Sequence, residues 1–362
     1  MEENLRTIKN ILLIFLLIVI VILMGVLSKV LIPLFLAIIF ALIFQPIISY
    51  LRKIRVPIAI ILPFVYVLTI GGVYLVSSVV YNTVSDITVE LPYLTEKFNE
   101  KLTSIVKVYN QITGSNFRSN NFFDKIIGTL DYGTITSYAG KLASNLTSFT
   151  SDFIMFALYY FLLLAGIPRY RDYIRFVGGK NGDTFLSNYE TIQKAIVNYM
   201  LSKFLVNLVL GTLVFLICTF FGIKFALFWG FLMLLLHFIP TIGSILASIP
   251  PILLAMLQFD TWSPIIIMAS ALIGVQFIVG NILEPKFMGK QLKINTVTVL
   301  VGLVFWGQLW GIIGMLLSVP LMVLIKLILE KIPDLSFLSR IMGSPDKKSK
   351  NKNTNETASL AN

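Results

Sequence analysis

Apolar and polar positions fall in long blocks along this chain. Apolar runs cover 11–27, 30–44, 204–221 and 225–236, and two longer ones, 264–283 and 294–325, follow. A membrane-crossing helix needs about 20 mostly apolar residues. The pattern therefore predicts spans at about 9–28, 31–50, 57–81, 149–167 and 203–222. A return is expected near 239, an exit near 259, a further crossing through 264–283, and an out-and-back pair within 294–329. The expected fold class is an all-α polytopic membrane bundle of about eight transmembrane helices, some broken or re-entrant. The first run lacks a small-x-small cleavage pattern, so it reads as an uncleaved anchor in a tight hairpin with the second.

Several stretches are not simple spans. Residues 82–148 read as an external segment with an amphipathic helical hairpin. Leu91, Leu94, Phe98, Leu102, Ile105 and Tyr109 make one helical stripe, with Pro92 in its first turn. Ile135, Tyr138, Leu142, Leu146, Phe149 and Phe153 make the other, which continues unbroken into the fourth span. The stripes are expected to pack on each other or on neighbouring subunits. Residues 168–202 read as a cytoplasmic amphipathic segment. A glycine-rich turn at 178–182 opens it, Asp183 or Thr184 caps its helix, and Phe185, Tyr189, Ile192, Ile196 and Tyr199 form the apolar face. In 225–259, short apolar pieces are interrupted by Pro240, Gly243, Pro250 and Pro251, the mark of a broken or re-entrant helix or of a plain turn between short spans. Gly307 and Gly311 form a G-x-x-x-G step for close helix packing, joined by Gly314. Trp306 and Trp310 suit an outer interface, and Pro320 is placed to kink the last helix. The resulting division is 1–81, 82–148, 149–167, 168–202, 203–332 as a C-terminal bundle, and 333–362 as a cytoplasmic tail, disordered from about 344.

The polar residues inside these blocks carry the functional signal. Glu284 precedes Pro285 at the end of an apolar run, where charge and a lost backbone donor are both expensive in hydrocarbon. Such a carboxylate is a candidate for proton or cation coupling; the alternative is plain pairing with Lys286 or Lys290 at headgroup level. His237 is the single histidine of the chain and titrates in the physiological range. Gln276 and Asn281 either join helices or line a path. Asp152, Tyr74, Ser77, Ser78 and Tyr81 are weaker candidates.

Composition agrees with a membrane bundle: 57% of residues are hydrophobic, only 13% are charged, and mean hydropathy is +0.86. Soluble domains are nearer 25% charged. The net charge of +11 is one-sided: on the expected topology the inner face carries 21 Lys/Arg and 10 Asp/Glu, the outer face 8 of each. That asymmetry orients the chain with both termini cytoplasmic and argues against nucleic acid as a partner. The lone cysteine, Cys218, allows no intrachain disulfide. No Walker loop, histidine pair or hydrolytic triad is present, so neither an enzyme nor a bound cofactor or metal is expected.

Three motifs then stand in order: Phe238-Ile-Pro240-Thr-Ile-Gly243; Asn281-Ile-Leu-Glu284-Pro285-Lys286-Phe-Met-Gly289; and Gly311-Ile-Ile-Gly314-Met-Leu-Leu-Ser-Val-Pro320. Over roughly residues 5–335 the chain resembles the autoinducer-2 exporter family of permeases. It departs from that family's pattern at Ser244, where a second proline is usual, and at Ser202-Lys203-Phe204, where many members carry an Arg-Gly-Gln-like step. The resemblance implies a bacterial inner-membrane protein, a homo-oligomer, and either export of a small signalling molecule or sodium–proton type antiport. A non-transporting oligomeric scaffold is the alternative of another class. The path residues expected for transport are Glu284, Asn281, Pro285, Lys286, Gly289, His237, Pro240, Gly243 and Gln276.

Overall fold

The computed structural model describes residues 2–113, 152–166, 169–240, 242–288, 294–332 and 335–343. The protein is an all-α polytopic membrane protein; among the described residues the β pairing is a single bridge between Ile294 and Gly343. Helices are forced here because hydrocarbon offers no partner for a free N–H or C=O. Five helices are long and apolar enough to cross a membrane, and four shorter apolar ones accompany them among the described residues. Apolar side chains such as Val67, Phe220 and Val304 face outward along them.

Helices α1 (Glu2–Val26) and α2 (Ser28–Lys53) meet at Leu27 with no loop between them. The break frees the Met24 carbonyl, which accepts the indole N–H of Trp310 at 3.0 Å. Helix α3 (Ile58–Thr113) runs unbroken for 56 residues, about 84 Å at 1.5 Å per residue. The expected boundary near 81 therefore falls mid-helix, and Pro92 sits inside α3 rather than in the first turn of a separate helix. The second external stripe, at 135–149, lies outside the described residues. Helix α4 (Asp152–Gly166) packs Phe156, Tyr160 and Leu164 against α2 and α3.

Helix α5 (Tyr170–Gly178) leads through Gly179–Asn181 into α6 (Gly182–Phe220). The expected surface helix and fifth span are one rod of 39 residues. Neither Asp183 nor Thr184 caps it: its N-cap is Asn181 with no side-chain cap bond, while Asp183 pairs with Arg175 at 2.9 Å. Ile196 and Tyr199 of the predicted apolar face are buried; Phe185 and Tyr189 are exposed.

Helices α7 (Ala226–Leu236) and α8 (Ile242–Gln258) fold back on each other through the turn at His237–Pro240. Two glycine contacts set this geometry. A Cβ on Gly230 would lie 2.6 Å from the Gly211 carbonyl, and one on Gly211 would lie 2.6 Å from the Gly230 carbonyl, so α6 and α7 cross backbone to backbone. A Cβ on Gly243 would overlap the Leu236 carbonyl at 1.7 Å. Helix α9 (Trp262–Ile278) widens into a π turn, Val279–Leu283, before α10 (Glu284–Met288). Pro285 lacks an N–H and crowds the carbonyl four residues back, so a wider turn just before it relieves the clash and keeps the chain helical.

Helix α11 (Thr296–Lys331) is two arms joined at Gly311, whose φ of 63° only glycine tolerates readily. The arms pack Gly302 on Met322, Gly307 on Met315, and Gly314 on the Trp306 backbone. Gly307 and Gly314 are packing positions. Gly311 is the hinge, with nothing within 4 Å of where its Cβ would be, so it does not serve as a packing step. Trp306 and Trp310 do not lie at an exposed interface: both are buried, their rings 4.9 Å apart, with Phe35 5.4 Å from Trp310. Pro320 is buried in the second arm. Helix α12 (Ser336–Met342) is tied to the start of α11 by Asn295, which donates to the Ile341 carbonyl at 2.6 Å and caps Thr298 N at 2.7 Å.

Gly230→Val should lower stability by about 1–3 kcal/mol, the usual cost of forced overpacking. Gly274→Ala, with open space around it, should be stable to within about 0.5 kcal/mol. Thermal unfolding in detergent compares the two.

Candidate functional site

The most buried charge among the described residues sits where α6, the α7–α8 turn and the α9–α10 junction meet. Lys203 Nζ donates to Glu284 Oε1 at 2.6 Å, and the two side chains are 3% and 22% exposed. His237 Nε2 lies 3.3 Å from Glu284 Oε2, without a well-directed hydrogen bond. Each element contributes for a local reason. α6 presents Lys203 from its interior, flanked one turn away on each side by buried Tyr199 and Asn207. Gly243 lets the chain turn tightly enough to hold His237 at the end of α7. The π turn sets Glu284 at the start of α10.

Lys203 stands 17 residues before Phe220, the end of α6. That is about 26 Å of helix at 1.5 Å per residue, against a hydrocarbon core of about 30 Å. The cluster thus lies close to one edge of the apolar slab. A charged pair there is tolerated because each charge is matched. Glu284 keeps a partly open flank, so its carboxylate is a group whose partner can be exchanged for water, a proton or a solute. Asn207, fully buried, braces the site by donating to the Leu234 carbonyl at 3.2 Å, and its Oδ1 is left without a partner.

The other predicted residues divide. Gln276 donates to Ser248 Oγ and, at 3.4 Å, to the Ser244 carbonyl, stitching α9 to α8. Pro240 forms the turn, its carbonyl accepting Ile242 N at 2.6 Å. Asn281, Pro285 and Lys286 are exposed, and Asn281 donates only to Phe277 O of its own helix, at 3.0 Å. Gly289, Lys290 and Thr241 lie outside the described residues. Among the described residues Glu284 does not pair with Lys286; its lysine partner is Lys203, 81 positions away. Sequence reasoning placed Lys203 at a water boundary. The available signal was a lone lysine between the apolar positions Tyr199, Met200, Phe204 and Val206.

A second set of polar ties sits at the opposite end. Lys224 Nζ reaches Glu90 Oε2 at 2.8 Å and lies over the Tyr93 ring. Lys101 Nζ donates to the Phe259 carbonyl and to Asp260 Oδ1, each at 2.9 Å. These clamp the far half of α3 to the α6–α7 and α8–α9 loops. The Lys101 hydrogen bond, and behind it the lysine charge, holds Asp260 below the usual carboxylate range.

Comparison with known proteins fits this arrangement. The profile of the AI-2E family transporter matches residues 11–334. The chain belongs to the AI-2E transporter family. It is 29% identical over 303 residues to a Borreliella burgdorferi protein named for transport, covering 83% of this chain and 81% of that one. It is 25% identical over 293 residues to the AI-2 transport protein TqsA of Escherichia coli K12, covering 79% and 81%. With YhhT of the same organism, also named for transport, it shares 28% identity over 266 residues, covering 71% and 76%. Membership makes this a multi-pass membrane protein of a transport family.

Lys203→Ala should cost about 3–5 kcal/mol of stability, because it strands a partly buried carboxylate. Lys203→Met combined with Glu284→Gln should recover most of the loss. Melting of the single and double variants in detergent checks this.

Proposed function

We propose that this protein is a secondary transporter that moves a small polar solute across a bacterial inner membrane, with Glu284 as the coupling carboxylate. The observation that carries this reading is the Lys203–Glu284 pair with His237 beside it, held where three separate helical units meet. A pair that bridges mobile units can break in one state and reform in another, which is the requirement for alternating access. The solute class follows from the family and from TqsA, whose name assigns it AI-2. Asn207, Gln276, Ser248 and the cluster offer donors and acceptors for a small polar solute along α6, α8 and α9. The one-sided excess of Lys/Arg supports cytoplasmic termini. A homo-oligomer accords with the apolar faces the monomer leaves bare.

Cation–proton exchange is the second reading, favoured by His237 lying 3.3 Å from Glu284: a protonated imidazole and a metal cation would compete for the same oxygen.

Proteoliposomes loaded with AI-2 and an internal pH dye separate the readings. The expected result is AI-2 release above that of empty vesicles, reduced about tenfold or more in Glu284→Gln, the scale of a lost charge-assisted contact, compared at equal amounts of folded, inserted protein because the variant strands Lys203. Wild-type release by the variant would remove Glu284 from the mechanism. A sodium- or potassium-dependent pH change that Glu284→Gln abolishes, without AI-2 release, would select antiport.

A further inference from the structure

Three arginines, Arg169, Arg171 and Arg175, are spaced from the N-cap to the last turn of α5, at the end of the bundle that carries the Glu284 cluster. Arg171 donates to Glu190 Oε1 through Nε at 2.9 Å and through a terminal guanidinium nitrogen at 2.6 Å. Arg175 Nε donates to Asp183 Oδ1 at 2.9 Å. Both are neutralised by acids on α6. Arg169 is exposed and has no hydrogen-bond or ion partner among the described residues. It stands on the rim of a cavity of about 570 Å³ between α2, α4, α5 and α6, within the range of about 300–1,000 Å³ typical of ligand sites.

The cavity is amphipathic by position. Leu42, Leu162 and Leu163 form its apolar wall. Gln193 donates to Gln45 across its polar floor, and Tyr170 and Tyr189, rings 5.8 Å apart, flank Arg169. Gln193 lies about 40 Å of helix from Phe220, past a hydrocarbon core of about 30 Å and therefore at headgroup depth once α6 tilts. Helix α5 shows Tyr173 and Phe176 67% and 82% exposed, as suits a helix lying in the membrane interface.

We propose that this cavity is a binding site for an anionic phospholipid. Arg169 holds the phosphate, the glutamine pair and tyrosine hydroxyls take the glycerol oxygens, and the first acyl methylenes lie on the leucine wall. A planar guanidinium fits a phosphate oxygen pair, and basic pockets between membrane helices are a recognised place for acidic headgroups. The apolar wall is what separates a lipid from a free phosphate, which would leave it unused. Arg169 is the one charged residue in the described lining of the cavity, while Arg171 and Arg175 are turned to acids of α6, so the charge that a headgroup meets there is a guanidinium.

The test uses the full-length protein in a neutral detergent. Phosphatidylglycerol should raise the unfolding temperature by several degrees and remain bound at one per chain in native mass spectra. Phosphatidylcholine of the same chains and inorganic phosphate should do neither. Arg169→Gln should weaken phosphatidylglycerol retention about tenfold or more, the scale of a lost contact to a charged group. Arg171→Gln, which removes an arginine already paired, should retain it. Leu163→Trp, which fills the wall, should lose the lipid while keeping Arg169. Equal retention by Arg169→Gln overturns the site. An equal shift from inorganic phosphate reduces it to a bare anion site and overturns the lipid.

Discussion

A charge that hydrocarbon will not tolerate alone is what the rest of this bundle is arranged around. Lys203 is nearly sealed inside α6, and only Glu284, from the far end of α9, meets its Nζ, at 2.6 Å. Desolvating an ammonium costs several kcal/mol, so the fold must deliver the carboxylate or lose stability. That single requirement explains features that otherwise look unrelated. The π turn before Pro285 delivers Glu284, Gly243 makes the tight turn beside His237, and Asn207 fastens α6 to the end of α7.

The same requirement draws the site from separate elements. Its members come from α6, the α7–α8 turn and the α9–α10 junction, with no two on one rigid helix. The α6–α7 crossing at Gly211 and Gly230 is a backbone contact that allows little give. The hinge at Gly311 meets the α1–α2 break at Leu27, the two bridged by the hydrogen bond from Trp310 to the Met24 carbonyl. At the opposite end, Lys101 and Lys224 fasten α3 to the same loops with exposed ion pairs. Such pairs are worth at most about 1 kcal/mol each and are easily exchanged. Strong contacts hold the centre and weak ones hold the ends, a distribution suited to a transporter.

Much of this was legible in the sequence for a simple reason: apolar length and charge placement are one-dimensional properties. The all-α membrane class follows from the runs, and the family from the three motifs at Phe238, Asn281 and Gly311. What spacing cannot show is which distant charge meets which. Lys203 and Glu284 are separated by 81 positions, so Lys203 read only as the start of a span, and the pairing weighed for Glu284 beside a coupling role was with Lys286 or Lys290, nearby in sequence. Trp306 and Trp310 were read by type as interface residues; the fold buries both at a hairpin tip against α1 and α2, which residue type alone does not show. Gly311 matched a packing pattern by spacing, whereas the fold uses its positive φ. Pro92 looked like a helix start and is carried inside α3.

The measurement that bears most directly on the account is solute release from proteoliposomes by a charge swap, Lys203→Glu with Glu284→Lys, beside each single variant. If the exchangeable pair drives the cycle, both single variants are inactive and the swap recovers a substantial part of wild-type flux. If the losses of the two single variants simply multiply in the double, the residues act independently, and the pair is structural rather than the moving part.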